Sequence, residues 1–255
     1  MTGWTAILLA GSRPGTDRFA EAHGTDLKAL IPVGGVPMVT RPVDALLASK
    51  DITSVRVMTQ QADRIIGVLP VDPKLAVDQS QGTIAATLAG LFTDPATAWP
   101  LLVTTADHAL LDGDMIAEFC TQAAGADIAL AVVERGALEA RLPGAKRTWI
   151  PFKGGAYSGA NLFALGGPQA LPAIALWRGV EQDRKKGWRL LWQLGPAVFL
   201  GAMLRLLTLS QVLRRIGGKL GVDVRPVVMS DPLACVDVDK QSDLELVEKL
   251  LAERG

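Results

Sequence analysis

Lys28 and the glycine-bearing stretch before it have the makings of a phosphate site. A short apolar run, Ala6 to Ala10, breaks at Gly11, and the next residues bring Gly15 and Gly24 together with Arg13, Arg18 and Lys28. Glycine lets successive backbone N–H groups converge on an anion without a Cβ in the way. Arginine and lysine neutralise charge that a dry pocket could not otherwise hold. A second set of residues is acidic. The apolar run Leu101 to Thr105 is followed by Asp107 and His108, and Asp237 and Asp239 lie two residues apart, on one face of an extended chain. Capping of the helical pattern Met115 to Ala123 falls to Asp112 or Asp114, directly ahead of it, which leaves Asp107 free for other work. His108 beside it is ambiguous between a site residue and a hydrogen-bonded structural one.

Residues so far apart in sequence need a scaffold that gathers them, and the hydrophobic pattern supplies one. Strand-like runs at Ala6–Ala10, Ser54–Thr59, Leu75–Val77 and Leu101–Thr105 alternate with helical patterns at about 37–49, 62–68 and 83–92. That alternation predicts an α/β fold, a Rossmann-like, mostly parallel sheet with helices on both faces. Ligands of such sheets sit at the carboxyl ends of the strands. A second set of strands begins near Asp127–Glu134.

The chain has 255 residues, 49% of them hydrophobic, enough for one core, and a single domain is expected. Its 26 basic and 26 acidic residues cancel, which argues against a nucleic-acid binder acting through bulk charge. Cys120 and Cys235 lack metal-ligand spacing and read as free thiols of a reducing compartment. The N-terminus lacks a basic region and a cleavage site, so a cytoplasmic location is the default expectation.

Leu9-Ala10-Gly11-Ser12-Arg13, then Lys28, then the turn Gly35-Val36-Pro37-Met38 resemble the opening of the nucleotidyltransferase superfamily that includes molybdenum-cofactor and sugar-phosphate nucleotidyltransferases. The chain departs from that opening in lacking a second glycine after Gly11, in having Pro14, and in a longer spacing from Arg13 to Lys28. The resemblance implies a fold of the nucleotidyltransferase (GT-A-like) type. It implies that Leu9, Ala10, Gly11, Ser12, Arg13 and Lys28 bind the nucleotide, with Arg13 and Lys28 also serving catalysis. The stretch Asp78 to Thr87 resembles the turn that lies beneath the base in sugar nucleotidyltransferases. There Gln79, Gln81, Gly82 and Thr83 are the candidates, and glutamine can both donate to and accept from a pyrimidine edge. By the same resemblance Asp107 is a catalytic, metal-binding carboxylate, with Asp239 as the second ligand and Asp237 nearly as good. Mg²⁺ suits such oxygen donors and needs only one or two carboxylates besides phosphate oxygens. Lys153, Tyr157, Ser158 and Asn161 fall on the family's acceptor side. Ser242 is expected to cap the last helix, with Glu245 completing a capping box.

The implied reaction is transfer of a nucleoside monophosphate from an NTP, CTP or UTP favoured, to a phosphorylated acceptor, a sugar phosphate or a lipid-precursor phosphate, with release of pyrophosphate. Rival readings are a molybdenum-cofactor-type nucleotidyltransferase, a GT-A-like glycosyltransferase, and a non-catalytic nucleotide-binding protein. Asp112-Gly-Asp114 has the D-x-D spacing a glycosyltransferase needs, but at a helix start. One region lies outside the resemblance, a basic, apolar helical insertion at about 180–225. From Arg184 to Arg225 nine residues are basic and only Asp223 is acidic. Its apolar run, led by Trp188 and Trp192, is too short to span a bilayer. Packing on the core, a homodimer contact through 184–219, and a helix lying in the membrane interface on the cytoplasmic face all remain open.

Overall fold

The computed structural model describes residues 3–12, 15–80, 82–182, 201 and 204–254. Arg13, Gln81, Trp188 and Trp192 therefore lie outside the described residues, as do residues 183–200 and 202–203 of the basic insertion.

The chain opens with β1 (Trp4–Leu9), whose alternation is plain: Ala6 and Leu8 enter one core cluster and Ile7 the other. A short helix α1 (Arg18–Ala22) is capped by Asp17, which accepts from the N–H groups of Phe19 and Ala20. A 3₁₀ turn (Lys28–Leu30) leads into the hairpin of β2 (Pro32–Val33) and β3 (Val36–Pro37). Then come α2 (Thr40–Ala48), β4 (Ile52–Thr59), α3 (Ala62–Ile66), β5 (Leu75–Gln79), α4 (Ile84–Leu91), β6 (Leu101–Thr105) and α5 (Gly113–Ala123). The second half runs through β7 (Ile128–Glu134), α6 (Arg135–Arg141), β8 (Ile150–Phe152), β9 (Gly155–Leu165), α7 (Leu171–Gln182), α8 (Leu209–Leu220), β10 (Val224–Val228) and α9 (Gln241–Arg254).

The main sheet has the order β10-β7-β9-β6-β1-β4-β5, with β8 paired to β9. β6, β1, β4 and β5 are mutually parallel, β10 is parallel to β7, and β9 runs antiparallel between β6 and β7. The expected alternation is thus present, and the reversal at β9 is what brings the later part of the chain back to the strand ends where β1 and β6 finish.

Helices cover both faces. On one, Val43 and Leu46 of α2, Phe119 and Cys120 of α5 and Val247 of α9 pack over Ala6, Leu102 and Ala131. On the other, Leu88 of α4 and Ile174 of α7, with Leu213 of α8 packed against them, cover Ile7, Val103 and Ile128. Each large aliphatic side chain buried this way contributes about 1.5–3 kcal/mol of transfer free energy, which holds the loops at the strand ends in fixed relation.

Capping differs from expectation at one place. α9 starts at Gln241, so Ser242 lies within its first turn, and the Asp243 carboxylate accepts the Asp239 N–H at 3.2 Å. The capping box appears instead on α8, where Thr208 and Gln211 bond each other's backbone N–H. Among the described residues no helix is long and apolar enough to cross a membrane.

Candidate active site

Three loops meet at the carboxyl ends of β1, β4 and β6. The Ala10 N–H donates to the Met58 carbonyl at 2.9 Å and the Ala106 N–H to the Leu9 carbonyl at 3.0 Å, so the turn after β1 is held from both sides. Gln60, just past β4, ties this turn to the next one. Its Oε1 accepts the Ser12 N–H at 2.9 Å and its Nε2 donates to the Gly82 carbonyl at 3.3 Å. A Cβ on Gly11 would lie 2.9 Å from that amide, so a side chain there would make the Gln60 amide shift. Gly82 has φ +90°, which suits glycine. Thr83 caps α4 by accepting the Ala86 N–H at 3.2 Å, and its hydroxyl proton is left to point elsewhere. Gln79 ends β5 beside Thr59. Among the described residues the buried Ser12 Oγ has no hydrogen-bond partner, an unusual state for a buried hydroxyl and one that a ligand oxygen would relieve.

Lys28 projects from its 3₁₀ turn into a pair of carboxylates. Its Nζ donates to Asp107 Oδ2 at 2.7 Å and to Asp239 Oδ1 at 2.5 Å. The Thr105 hydroxyl donates to the other Asp107 oxygen at 2.5 Å. Burial alone would lower the Lys28 pKa, but the Asp107 and Asp239 carboxylates reverse the effect and raise it. Burial likewise pushes the Asp107 carboxyl up, and the Lys28 ammonium overcomes this and holds it below the ordinary value. The Val238 N–H donates to the Asp107 carbonyl at 3.1 Å, which draws the stretch from 237 to 239 against the end of β6.

Asp237 has separate partners. Arg147 pairs with its Oδ1 and Asn161 Nδ2 donates to its Oδ2 at 3.3 Å. Burial raises the Asp237 pKa against the pull of Arg147, and Asp239 and Asp107 add to the rise. Asn161 takes φ +48°, a conformation asparagine tolerates better than most residues. Beside Asp237 a cavity of about 450 Å³ is lined by Lys146, Arg147, Thr148, Ser158 and Lys240, among others. Of the four residues expected on the acceptor side, Ser158 lines this cavity and Asn161 touches Asp237. The other two do not join them. Lys153 sits at the β8–β9 turn, its N–H bonded to the Leu207 carbonyl at 2.9 Å, and Tyr157 packs against Phe152 with ring centroids 6.2 Å apart.

The model of the MobA-like NTP transferase domain matches residues 6–213. The chain belongs to this family. No curated protein matches it in sequence. A hypothetical transferase from Thermus thermophilus is 30% identical, with 95% of this chain and 100% of that one covered and a TM-score of 0.80. A 4-diphosphocytidyl-2C-methyl-D-erythritol synthase from Anaerococcus prevotii shares the fold at 10% identity, 98% coverage of each chain and a TM-score of 0.61. So does a CMP:2-keto-3-deoxy-manno-octonic acid synthetase complexed with CTP, at 16% identity, 99% and 100% coverage and a TM-score of 0.58.

For an NTP transferase the donor set is suited to a divalent cation. Asp107 and Asp239 already converge on one cationic atom, the Lys28 ammonium, and a hard metal asks for carboxylate oxygens of this kind. A ready-made cage of three is a different matter. Among the described residues no group of three or more Asp, Glu, His or Cys is arranged to hold a metal, and Asp237 is turned to Arg147. His108 is fully buried, its pKa lowered by burial to about 4, and its Nε2 has no partner among the described residues, so it sits neutral beneath the site. Two residues escaped the sequence reading. Gln60 and Arg147 act across 48 and 90 positions of chain, and neither sits in a motif or a periodic run.

Proposed function

We propose that this NTP transferase moves a nucleoside monophosphate from a pyrimidine NTP, CTP before UTP, to a phosphorylated small-molecule acceptor and releases pyrophosphate. The observation that carries this reading is the Lys28 ammonium shared by Asp107 and Asp239 beside the turn Leu9–Ser12. The turn, through the buried Ser12 hydroxyl, cradles the triphosphate, and Arg13 is assigned to it by the sequence resemblance. Lys28 is close enough to exchange its carboxylates for phosphate oxygens. A Mg²⁺ ion held by Asp107 and Asp239, with Asp237 the weaker candidate, supplies charge neutralisation at the reacting phosphate when bound.

The acceptor's phosphate oxygen is already anionic, so attack on the α-phosphate needs no general base. What the chain provides is alignment and cationic stabilisation of the charge that grows on the departing pyrophosphate. The choice of a pyrimidine rests on the Gln79–Thr83 segment, whose close-approach glycine is held in place by Gln60, and on CTP in a neighbour of the same fold. The acceptor class is either a soluble sugar phosphate or a lipid-precursor phosphate delivered at a membrane through residues 184–219.

Pyrophosphate release should be measured for the purified protein with Mg²⁺, crossing the four NTPs with a panel of sugar and lipid-precursor phosphates. The reading expects turnover with CTP or UTP and one acceptor class. Preferred use of a purine triphosphate would favour the molybdenum-cofactor-type reaction of the family instead, and absence of turnover with every pair would favour a nucleotide-binding role.

A further inference from the structure

The cavity beside Asp237 is balanced in charge. Lys146, Arg147 and Lys240 face Asp237, Asp239 and Asp243 across about 450 Å³ of space. Two of those carboxylates are the ones the proposed function assigns to a divalent cation. Occupation of Asp237 or Asp239 by a metal with its nucleotide would therefore leave the lysines and the arginine in excess, and the cavity would become a seat for an anion. Arg147 is the member built for it. Its side chain is only 12% exposed, yet it lines the cavity. Asp237 takes one donor from each Nη among the described contacts, out of the five N–H donors a guanidinium carries. The hydroxyls of Thr148 and Ser158 lie on the same lining, and Ser158 is itself buried. Planar N–H forks match phosphate oxygens in bidentate fashion, and a buried one loses little entropy on doing so.

We propose that Arg147, supported by Lys146 and Lys240, is the residue that positions the acceptor's phosphate, and that in the empty site Asp237 stands in for that phosphate as its internal partner. This rests on the nucleotidyl-transfer reading for its biological meaning, but the exchange itself involves only groups of this chain and an anion. It moves the acceptor's charged end away from Lys153, which lies at the β8–β9 turn, to the loop between α6 and β8.

The test uses inorganic phosphate as the probe, titrated calorimetrically into the full chain without metal or nucleotide at fixed ionic strength. Asp237→Asn keeps the side-chain volume and frees Arg147 from its anionic partner. It should bind phosphate about tenfold more tightly than the wild type. Adding Arg147→Met to Asp237→Asn should erase that gain, whereas adding Lys153→Met or Lys28→Met should leave it. If the Arg147→Met protein melts early, Arg147→Lys serves in its place, since it retains charge without the fork and should lose most of the gain. Equal phosphate affinity in wild type and Asp237→Asn would overturn the proposal. So would a gain that survives Arg147→Met, or one abolished by Lys28→Met, which would place the anion in the nucleotide turn. Failure of the nucleotidyl-transfer reading would look different, with the Asp237→Asn gain present and no pyrophosphate released with any pair of substrates.

Discussion

Two ion pairs flank the candidate metal position, and they differ in stoichiometry. On the nucleotide side one ammonium serves two carboxylates, Lys28 with Asp107 and Asp239, so the cluster carries a net negative charge. On the acceptor side one guanidinium serves one carboxylate, Arg147 with Asp237, and the pair is neutral. Proton affinity does not follow that count, which alone would raise the carboxylates of the negative cluster. Lys28 holds Asp107 below its ordinary pKa despite burial, whereas burial wins over Arg147 at Asp237 and raises it. A net negative pair invites a further cation, while a neutral pair stores a cation that another anion can claim. The same kind of contact thus differs in net charge between two carboxylates only two positions apart, Asp239 and Asp237.

Asp107 is where the two ion pairs should differ most. Asp107→Asn should lower pyrophosphate release by about 10³-fold with the thermal midpoint nearly unchanged, because a hard ligand is weakened at constant volume. Near-normal turnover would remove Asp107 from the chemistry. Lys28→Met comes next. Loss of the cation at the leaving pyrophosphate should cost about 10²-fold in kcat/KM for the NTP, with kcat falling as well as KM rising. An effect confined to KM would mean that Lys28 binds the ground state and transition state alike.

The two later carboxylates should separate in rank, since only Asp239 shares its cation with Asp107. Asp239→Asn is expected to reduce turnover by about 10²-fold and Asp237→Asn by about tenfold. A reversed order would make the neutral pair the metal-binding one.

The smallest effect concerns the support beneath the site. The folded-state pKa of His108 is depressed to about 4, so its contribution to stability is complete above the unfolded value near 6.5 and is lost as pH falls toward 4. Linkage puts that loss at about 3 kcal/mol. Urea midpoints at pH 7 and pH 4.5 should fall further for the wild type than for His108→Phe, and equal falls would show that His108 is not buried neutral.

The cluster of Lys28, Asp107 and Asp239 could be picked out from local pattern. Lys28 stands before a run leading to a Gly-Pro turn, Asp107 directly follows a buried strand, and Asp239 precedes a helix, so each carries its context within a dozen residues. The parallel strands β1, β4, β5 and β6 were legible for the same reason, each an apolar run between helical patterns. The acceptor side was not. Arg147 lies in a loop without periodicity and acquires its role only when β9 runs antiparallel and brings Asn161 and Asp237 to it. Gln60 is one polar residue after a strand until the Ser12 and Gly82 loops fold onto its amide. Ser242 misled because Ser-x-x-Glu is a good cap signal, yet Asp243 reaches back to the Asp239 N–H and the helix begins earlier. Lys153 and Tyr157 were near Ser158 in sequence, but in the β8–β9 hairpin only Ser158 of the three lines the cavity.

Lys28 stands where Asp107 and Asp239 share a cation, the position a metal would take. Binding of Mn²⁺ to the nucleotide-free protein, followed by electron paramagnetic resonance, tests this without any assumption about substrate. Lys28→Met removes the ammonium and leaves the two carboxylates facing one another, so Mn²⁺ should bind about tenfold or more tightly than to the wild type. Unchanged or weaker binding in Lys28→Met would contradict the account, because the pair of carboxylates would then have no cation position to surrender.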